Sequence, residues 1–180
     1  MCRVRGEALA APERAMPSRR RALVAAAAAA MLAGCGFELR RSPQLAFRTI
    51  ALSGFSPYSP LAEELRMHLD ASATTKVVEA LSQAEVVLQA LADARERSVV
   101  ASTAAGQVRE LQLRTRLQFH LRTAAGRELI PATEIVLSRD MSFSESLALA
   151  KEQEEALLYR AMQTDIVTQV MRRLAAVRMA

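Results

Sequence analysis

The 180-residue chain has no tryptophan, two tyrosines and five phenylalanines. So few aromatics disfavour recognition of single-stranded nucleic acid by base stacking. Cysteine is as scarce, with only Cys2 and Cys35. The two histidines, His68 and His120, lie far apart and lack ligand spacing, so each is expected as a solvated surface residue and no metal site is expected. No Gly-x-Ser-x-Gly, P-loop or Gly-x-Gly-x-x-Gly pattern occurs. The acidic pairs Glu63-Glu64 and Glu154-Glu155 are adjacent on helical segments, so their carboxylates diverge rather than converge on a substrate. These absences predict a non-enzyme with no catalytic residues and no cofactor.

What is present begins near the N-terminus. Arg19-Arg20-Arg21 precede an apolar run, Ala22-Leu23-Val24, six alanines and Met31, which ends in Leu32-Ala33-Gly34-Cys35. A basic segment, a short apolar segment and small residues before a cut form the plan of an export signal. Thirteen residues from Ala22 to Gly34 reach roughly 20 Å in a helix, too short for the hydrocarbon core of a bilayer. The cysteine just after the cut resembles the lipobox of bacterial lipoproteins, in which the thiol is acylated and becomes the first mature residue. Residues 1–34 are therefore read as a lipoprotein signal peptide. Glu7, Pro12 and Glu13 fit its basic segment poorly, and Met16 is an alternative start.

Removing the signal alters the charge. Six of the 24 basic and two of the 19 acidic residues precede Cys35, leaving 18 against 17, a net +1 in place of +5. The high pI is mostly export signal and gives no argument for nucleic-acid binding. With Cys2 removed and Cys35 lipidated, no thiol is left for a disulfide, a metal or nucleophilic chemistry.

Residues 35–45 are read as a lipidated polar tether and 46–180 as one domain. Phe47 to Leu52 reads as a strand closed by Ser53-Gly54. Ser59 and Pro60 are an N-cap and first-turn pair for a helix with Leu61, Leu65 and Leu69 on one face. Thr74 to Gln83 is ambiguous, with Val77-Val78 a short extended candidate. A strand follows from Val86 toward Ala101, then a turn at Ala104-Gln107. Leu111, Leu113, Thr115, Leu117, Phe119 and Leu121 alternate with Gln112, Arg114, Arg116, Gln118, His120 and Arg122, which predicts a strand with one apolar and one polar face. A turn at Ala124-Arg127 leads to a strand over Glu134 to Phe143. Ser142-Phe143-Ser144-Glu145 matches a capping box. The helix it announces carries Leu158, Met162, Ile166, Val170, Leu174 and Val177 at intervals of three or four. The expected fold is α+β, a two-layer sandwich with a four-stranded, mostly antiparallel sheet on two helices, in the order β-α-β-β-β-α. The face with Arg114, Arg116, His120 and Arg122 invites an anionic partner; the favoured reading is a solvated face of a half-exposed sheet.

The run Leu32-Ala33-Gly34-Cys35-Gly36-Phe37-Glu38-Leu39-Arg40, followed by this order of elements, resembles the LPS-assembly lipoprotein (LptE) family. Leu147-Ala148-Leu149-Ala150-Lys151, leading into an acidic stretch and a long helix, resembles the closing segment of the same family. The resemblance implies a diacylglycerol and an N-acyl chain (palmitate) on Cys35, no other cofactor, and anchorage in the inner leaflet of the outer membrane on its periplasmic side. It implies a one-to-one partnership with an LptD-like β-barrel, which the protein plugs and helps to assemble, and binding of lipopolysaccharide during delivery to the cell surface. Gly36 agrees with an outer-membrane destination, since aspartate there is the usual inner-membrane retention signal. No nucleic-acid partner is implied.

The resemblance further implies lipopolysaccharide contact through basic residues. One family position matches Lys151; another, in the loop between the second and third strands, matches Ala104 and lacks its charge. Strand order brings that turn and the end of the last strand to one end of the sheet. Lys151, Arg109 and Arg139 are therefore expected to cluster there, with Arg109 replacing the missing loop charge. The second reading of the chain is a stand-alone periplasmic lipid-binding or chaperone lipoprotein. An envelope hydrolase is excluded by the lack of a nucleophile constellation.

Overall fold

The computed structural model describes residues 44–179, which form one compact unit with its own core. Cys35, the signal and most of the tether lie outside the described residues.

Strand β1 (Thr49–Ser53) is followed by helix α1 (Pro60–Asp70). The Ser59 hydroxyl accepts from the Ala62 amide at 3.2 Å while Pro60 supplies a first residue that needs no amide partner. Leu61, Leu65 and Leu69 are buried along one side. Next come β2 (Lys76–Val77), β3 (Val86–Ser102), β4 (Val108–Thr123), β5 (Glu128–Ser142) and helix α2 (Ala148–Ala175). The sheet order is β2-β1-β3-β4-β5: β1 runs parallel to β2 and β3, and β3, β4 and β5 form an antiparallel meander. Both helices pack on one face. The α+β sandwich therefore stands, with a fifth strand of only two residues that lies in the segment too ambiguous to assign from sequence.

The alternation in β4 holds from Leu111 to Phe119. Leu117, Phe119 and Leu121 are fully buried, and Ile166, Val167, Val170 and Leu174 of α2 lie in the same core. Leu111, Leu113, Met141, Tyr159 and Met162 form a second cluster where the long strands outrun β1. Two matching turns close the meander. Thr103-Ala104-Ala105-Gly106-Gln107 and Thr123-Ala124-Ala125-Gly126-Arg127 each place glycine at positive φ, 79° and 88°. In each, the threonine hydroxyl accepts from the amide four residues on, at 3.1 and 3.0 Å. The short Thr-Ala-Ala-Gly repeat thus encodes one hairpin closure used at opposite ends of the sheet.

Two local expectations change. His120 is 5% exposed, not solvated. Its register partner on β3 is Gln89, whose Oε1 lies 3.0 Å from Nε2, and the β4–β5 pairing is irregular between Phe119 and Leu121. His68 is exposed as expected. The capping box does not form, because Ser142 stays in the β5 ladder, opposite Glu110, and the Phe143 amide donates to the Arg109 carbonyl at 2.8 Å. The helix instead opens through a 3-10 turn, Glu145–Leu147, and begins at Ala148.

Candidate functional site

β3 runs away from the end where the described chain begins, β4 returns, β5 runs out again and α2 comes back. The Ala104–Gln107 turn, the end of β5 and the start of α2 therefore meet at the distal end. The 17 residues of β3 run between that end and the proximal one along a path of up to roughly 55 Å, and the 28 residues of α2 return over about 42 Å.

Lys151 sits in the first turn of α2, its side chain 16% exposed. Its Nζ donates to the Ser142 hydroxyl at 3.0 Å and pairs with Glu154 at 2.8 Å. Arg109 lies beside the end of β5 and lines a cavity of about 260 Å³ with Gln107, Val108, Ser144, Glu145 and Ser146. Lys151 and Arg109 thus share the distal end. Arg139 points elsewhere: its guanidinium is 3.8 Å from Asp165, which lies 14 residues beyond Lys151, about 21 Å along the helix. Leu147 and Leu149 are 57% and 71% exposed at the same distal end, as are Val99 and Val100 at 55% and 50%.

Two of the arginines on the open sheet face, Arg114 and Arg116, are neutralised from their own sheet. Glu96 lies between Arg114 (4.0 Å) and Arg116 (3.9 Å), and Arg116 also reaches Glu134 at 3.6 Å. Gln112 donates to Asp140 at 3.0 Å. Anion recognition has little unpaired charge to use there, in keeping with a solvated polar face.

On the helix side the structure brings together polar residues that sequence reasoning had not joined. Past a β-bulge at Ala90–Ala92, Asp93, Arg95 and Arg97 occur at alternate positions and face inward with Leu117, Thr115 and Leu113 as register partners. Ser59 donates to Asp93 at 2.5 Å. Arg95 donates to Gln163 Oε1 and stacks over the Tyr159 ring, 5.3 Å from its centroid. Gln163 Nε2 donates to Glu64 at 2.6 Å and to the Pro60 carbonyl at 3.0 Å; Tyr159 donates to the Glu96 carbonyl at 2.8 Å. Burial pushes the Tyr159 hydroxyl pKa up, reinforced by Glu155 and opposed by Arg97 and Arg95. A cleft of about 490 Å³ opens between β3 and α2 over these groups, with Arg97 held by Glu155 at 3.2 Å. The signal for this seam was the charge-bearing run Asp93-Ala94-Arg95-Glu96-Arg97 inside a strand. No group of histidine, cysteine or carboxylate side chains among the described residues could hold a metal. No helix among them is long and apolar enough to cross a membrane.

Comparison with known proteins follows the same boundaries. The profile of the LptE family, described as lipopolysaccharide-assembly, matches residues 47–174. The chain is 28% identical over 157 residues to the LPS-assembly lipoprotein LptE of Pectobacterium atrosepticum, covering 86% of this chain and 84% of that protein. It is 28% identical over 150 residues to the LptE of Yersinia pestis, covering 82% and 72%. In three dimensions it is similar to a lipoprotein B from Nitrosomonas europaea solved by NMR, with a TM-score of 0.65, 31% identity and coverage of 78% and 91%. The rare lipoprotein B of Shewanella oneidensis superposes with a TM-score of 0.59 at 25% identity, covering 72% and 95%. The matched span takes in β1 through nearly all of α2, and the chain belongs to the LptE family, a non-enzymatic family with a role in lipopolysaccharide transport and assembly.

Proposed function

We propose that this protein is an outer-membrane lipoprotein, acylated on Cys35 and facing the periplasm, that plugs an LptD-type β-barrel in a one-to-one complex. In that position it assists barrel assembly and binds lipopolysaccharide during its passage to the surface. The single observation that supports this most is the length of the domain. The first described residue and the Lys151–Arg109 end lie at opposite ends of strands up to roughly 55 Å long. A bilayer with its headgroups is about 40–45 Å thick. A domain of this length, tethered at one end, reaches from the inner leaflet through a barrel lumen toward the outer face. Its self-neutralised open sheet face suits a polar lumen wall, which is the character of barrel interiors.

Lipopolysaccharide carries phosphates and acyl chains. The distal end offers the cations Lys151 and Arg109 beside exposed Leu147 and Leu149. Arg139 lies along the β5 edge below that end, where Asp165 pairs with it. Extraction of the tagged, membrane-expressed protein in mild detergent tests the plug: recovery with one copy of a large outer-membrane barrel is expected. Recovery only as a free monomer overturns it and favours a stand-alone lipid-binding or chaperone lipoprotein.

A further inference from the structure

Among the described residues, Tyr58 is the one non-glycine residue with a positive φ, 59°. It sits in the loop between β1 and α1, where the Ser59 amide donates to the Ser56 carbonyl at 3.1 Å. Pro57 at the second position, its φ fixed negative, and a positive φ at the third make this a type II turn. The third position of that turn suits glycine or asparagine, and a side chain as large as tyrosine's strains the backbone there. Packing of the side chain could offset such strain, yet the Tyr58 ring is 93% exposed. The fold therefore gains nothing from a tyrosine at this position.

Tyr58 borders two hollows. One, of about 580 Å³, is lined by Leu52, Phe55, Ala62 and Met67, with Glu63 and Arg66 contributing one charge of each sign. Leu52 and Phe55 pack against the core, while Met67 is 64% exposed. The other, of about 220 Å³, is lined by Pro57, Pro60, Asp93 and Arg95 and shares Pro60 and Arg95 with the cleft over the polar seam. Ser56, Tyr58 and Ser59 line both hollows and form the ridge that they share. β1 ends with Ser53 opposite Gln89, the fourth of the 17 residues of β3. The loop that follows thus lies on the flank of the domain, away from both Gln44 and the Lys151–Arg109 end.

We propose that Tyr58, with Met67 beside it, is the anchor by which the domain holds the lumen wall of the barrel that it plugs, each hollow taking a side chain that the wall points inward. The inference rests on the plug reading above and names the part of the flank that carries the contact. Inward side chains of one barrel strand recur at every second residue, roughly 7 Å apart, which leaves room for one ring between two of them. A ridge between two hollows is the complementary form. The larger hollow offers an anionic ligand no excess of positive charge, and its apolar side chains beside the hydroxyls of Ser53, Ser56 and Ser59 suit a polar, uncharged stretch of lumen wall. Aromatic residues and methionine are enriched at the core of protein interfaces. The turn already fixes the backbone of Tyr58, so docking of its ring orders only two side-chain torsions.

The test uses the full lipoprotein co-expressed with its barrel and purified in mild detergent. With Tyr58 replaced by benzoylphenylalanine, illumination is expected to give an adduct of plug and barrel that maps to a lumen-facing strand. An adduct only with lipid, or only with a second copy of the chain, overturns the proposal. Tyr58→Asn with Met67→Gln should exchange out of the complex at least about tenfold faster than the native chain, the scale of losing an aromatic anchor. In the lipoprotein purified without the barrel, Tyr58→Asn alone should raise the midpoint of thermal unfolding by about 3 °C, because asparagine accepts the turn without strain. A midpoint that falls makes the tyrosine structural and overturns the proposal. Leu81→Gln, at an exposed leucine of the proximal end, should alter neither value. Absence of any barrel with the native chain overturns the plug reading and this inference together; a native complex that the double variant leaves intact overturns this inference alone.

Discussion

Gly54 stands against the backbone of Ala90, so closely that a methyl group on its Cα would lie 2.2 Å from the Ala90 carbonyl oxygen. Its φ is 75°, a conformation that L side chains rarely adopt. The contact falls where β1 ends and β3 bulges between Ala90 and Ala92. That bulge turns the rest of β3 so that Asp93, Arg95 and Arg97 face the helices. The glycine that closes the first strand therefore also permits the bend on which the polar seam depends.

Gly54→Ala is expected to cost roughly 3 kcal/mol, the sum of a left-handed non-glycine residue and an overpacked backbone contact. The midpoint of thermal unfolding should drop by on the order of 10 °C, as circular dichroism would register. A loss below about 1 °C means the loop moves away from β3 freely and the contact constrains nothing.

Gln163 is the joint of the seam, joining Arg95, Glu64 and the Pro60 carbonyl while only 7% exposed. Its replacement by alanine strips partners from a charged group on each side and opens a void. Gln163→Ala should destabilise by about 2–3 kcal/mol. The exposed Arg114→Gln, whose pairing is to Glu96 at 4.0 Å, should change stability by under about 0.5 kcal/mol. Urea melts of the two variants in parallel decide it: equal effects would remove the seam's special standing.

The contrast between these two sites shows what was legible in the chain. The apolar stripes of β4 and α2 state their partners through period alone, since Leu117 or Ile166 is placed by burial and burial follows spacing. Lys151 and Arg109 were brought to one end by strand order, which needs no atomic detail. Arg139 sits in the expected strand, yet its side chain answers to Asp165, a partner on α2 that no local pattern marks. His120 misled for the same reason: it occupies a polar position of the alternation but is covered by its cross-strand neighbour Gln89. Ser142 and Glu145 formed a plausible capping box in sequence until the β5 ladder claimed Ser142. Period reports which face a residue occupies; it does not report what stands across from it.

Burial lowers the His120 pKa below its ordinary 6.5, Arg122 lowers it further, and Glu128 opposes both weakly. The unfolded chain then binds a proton at mildly acidic pH that the folded chain refuses. Stability is fully present above about pH 6.5 and is lost as pH falls through the folded-state value. The urea midpoint of the native chain should therefore decline as pH drops below about 6.5, and His120→Gln, which retains a donor for Gln89, should flatten that part of the decline. Parallel curves for the two proteins would assign the pH dependence to other groups.

Lys151 binds Glu154 at 2.8 Å and Ser142 at 3.0 Å, so an incoming phosphate must compete with a carboxylate that is already there. That competition gives two predictions of opposite sign from one site. Lys151→Asp with Arg109→Asp removes both distal cations and should weaken lipopolysaccharide binding by more than about tenfold, while the barrel complex still forms. Glu154→Gln removes the competitor, leaves Lys151 and its serine contact in place, and should tighten binding by about fivefold, the order expected for freeing one charge-assisted bond. Binding of labelled lipopolysaccharide to the purified protein, repeated at raised ionic strength, measures both. If Glu154→Gln weakens binding or leaves it unchanged while Lys151→Asp abolishes it, then Lys151 acts by holding the start of α2 against β5, and the ligand sits elsewhere.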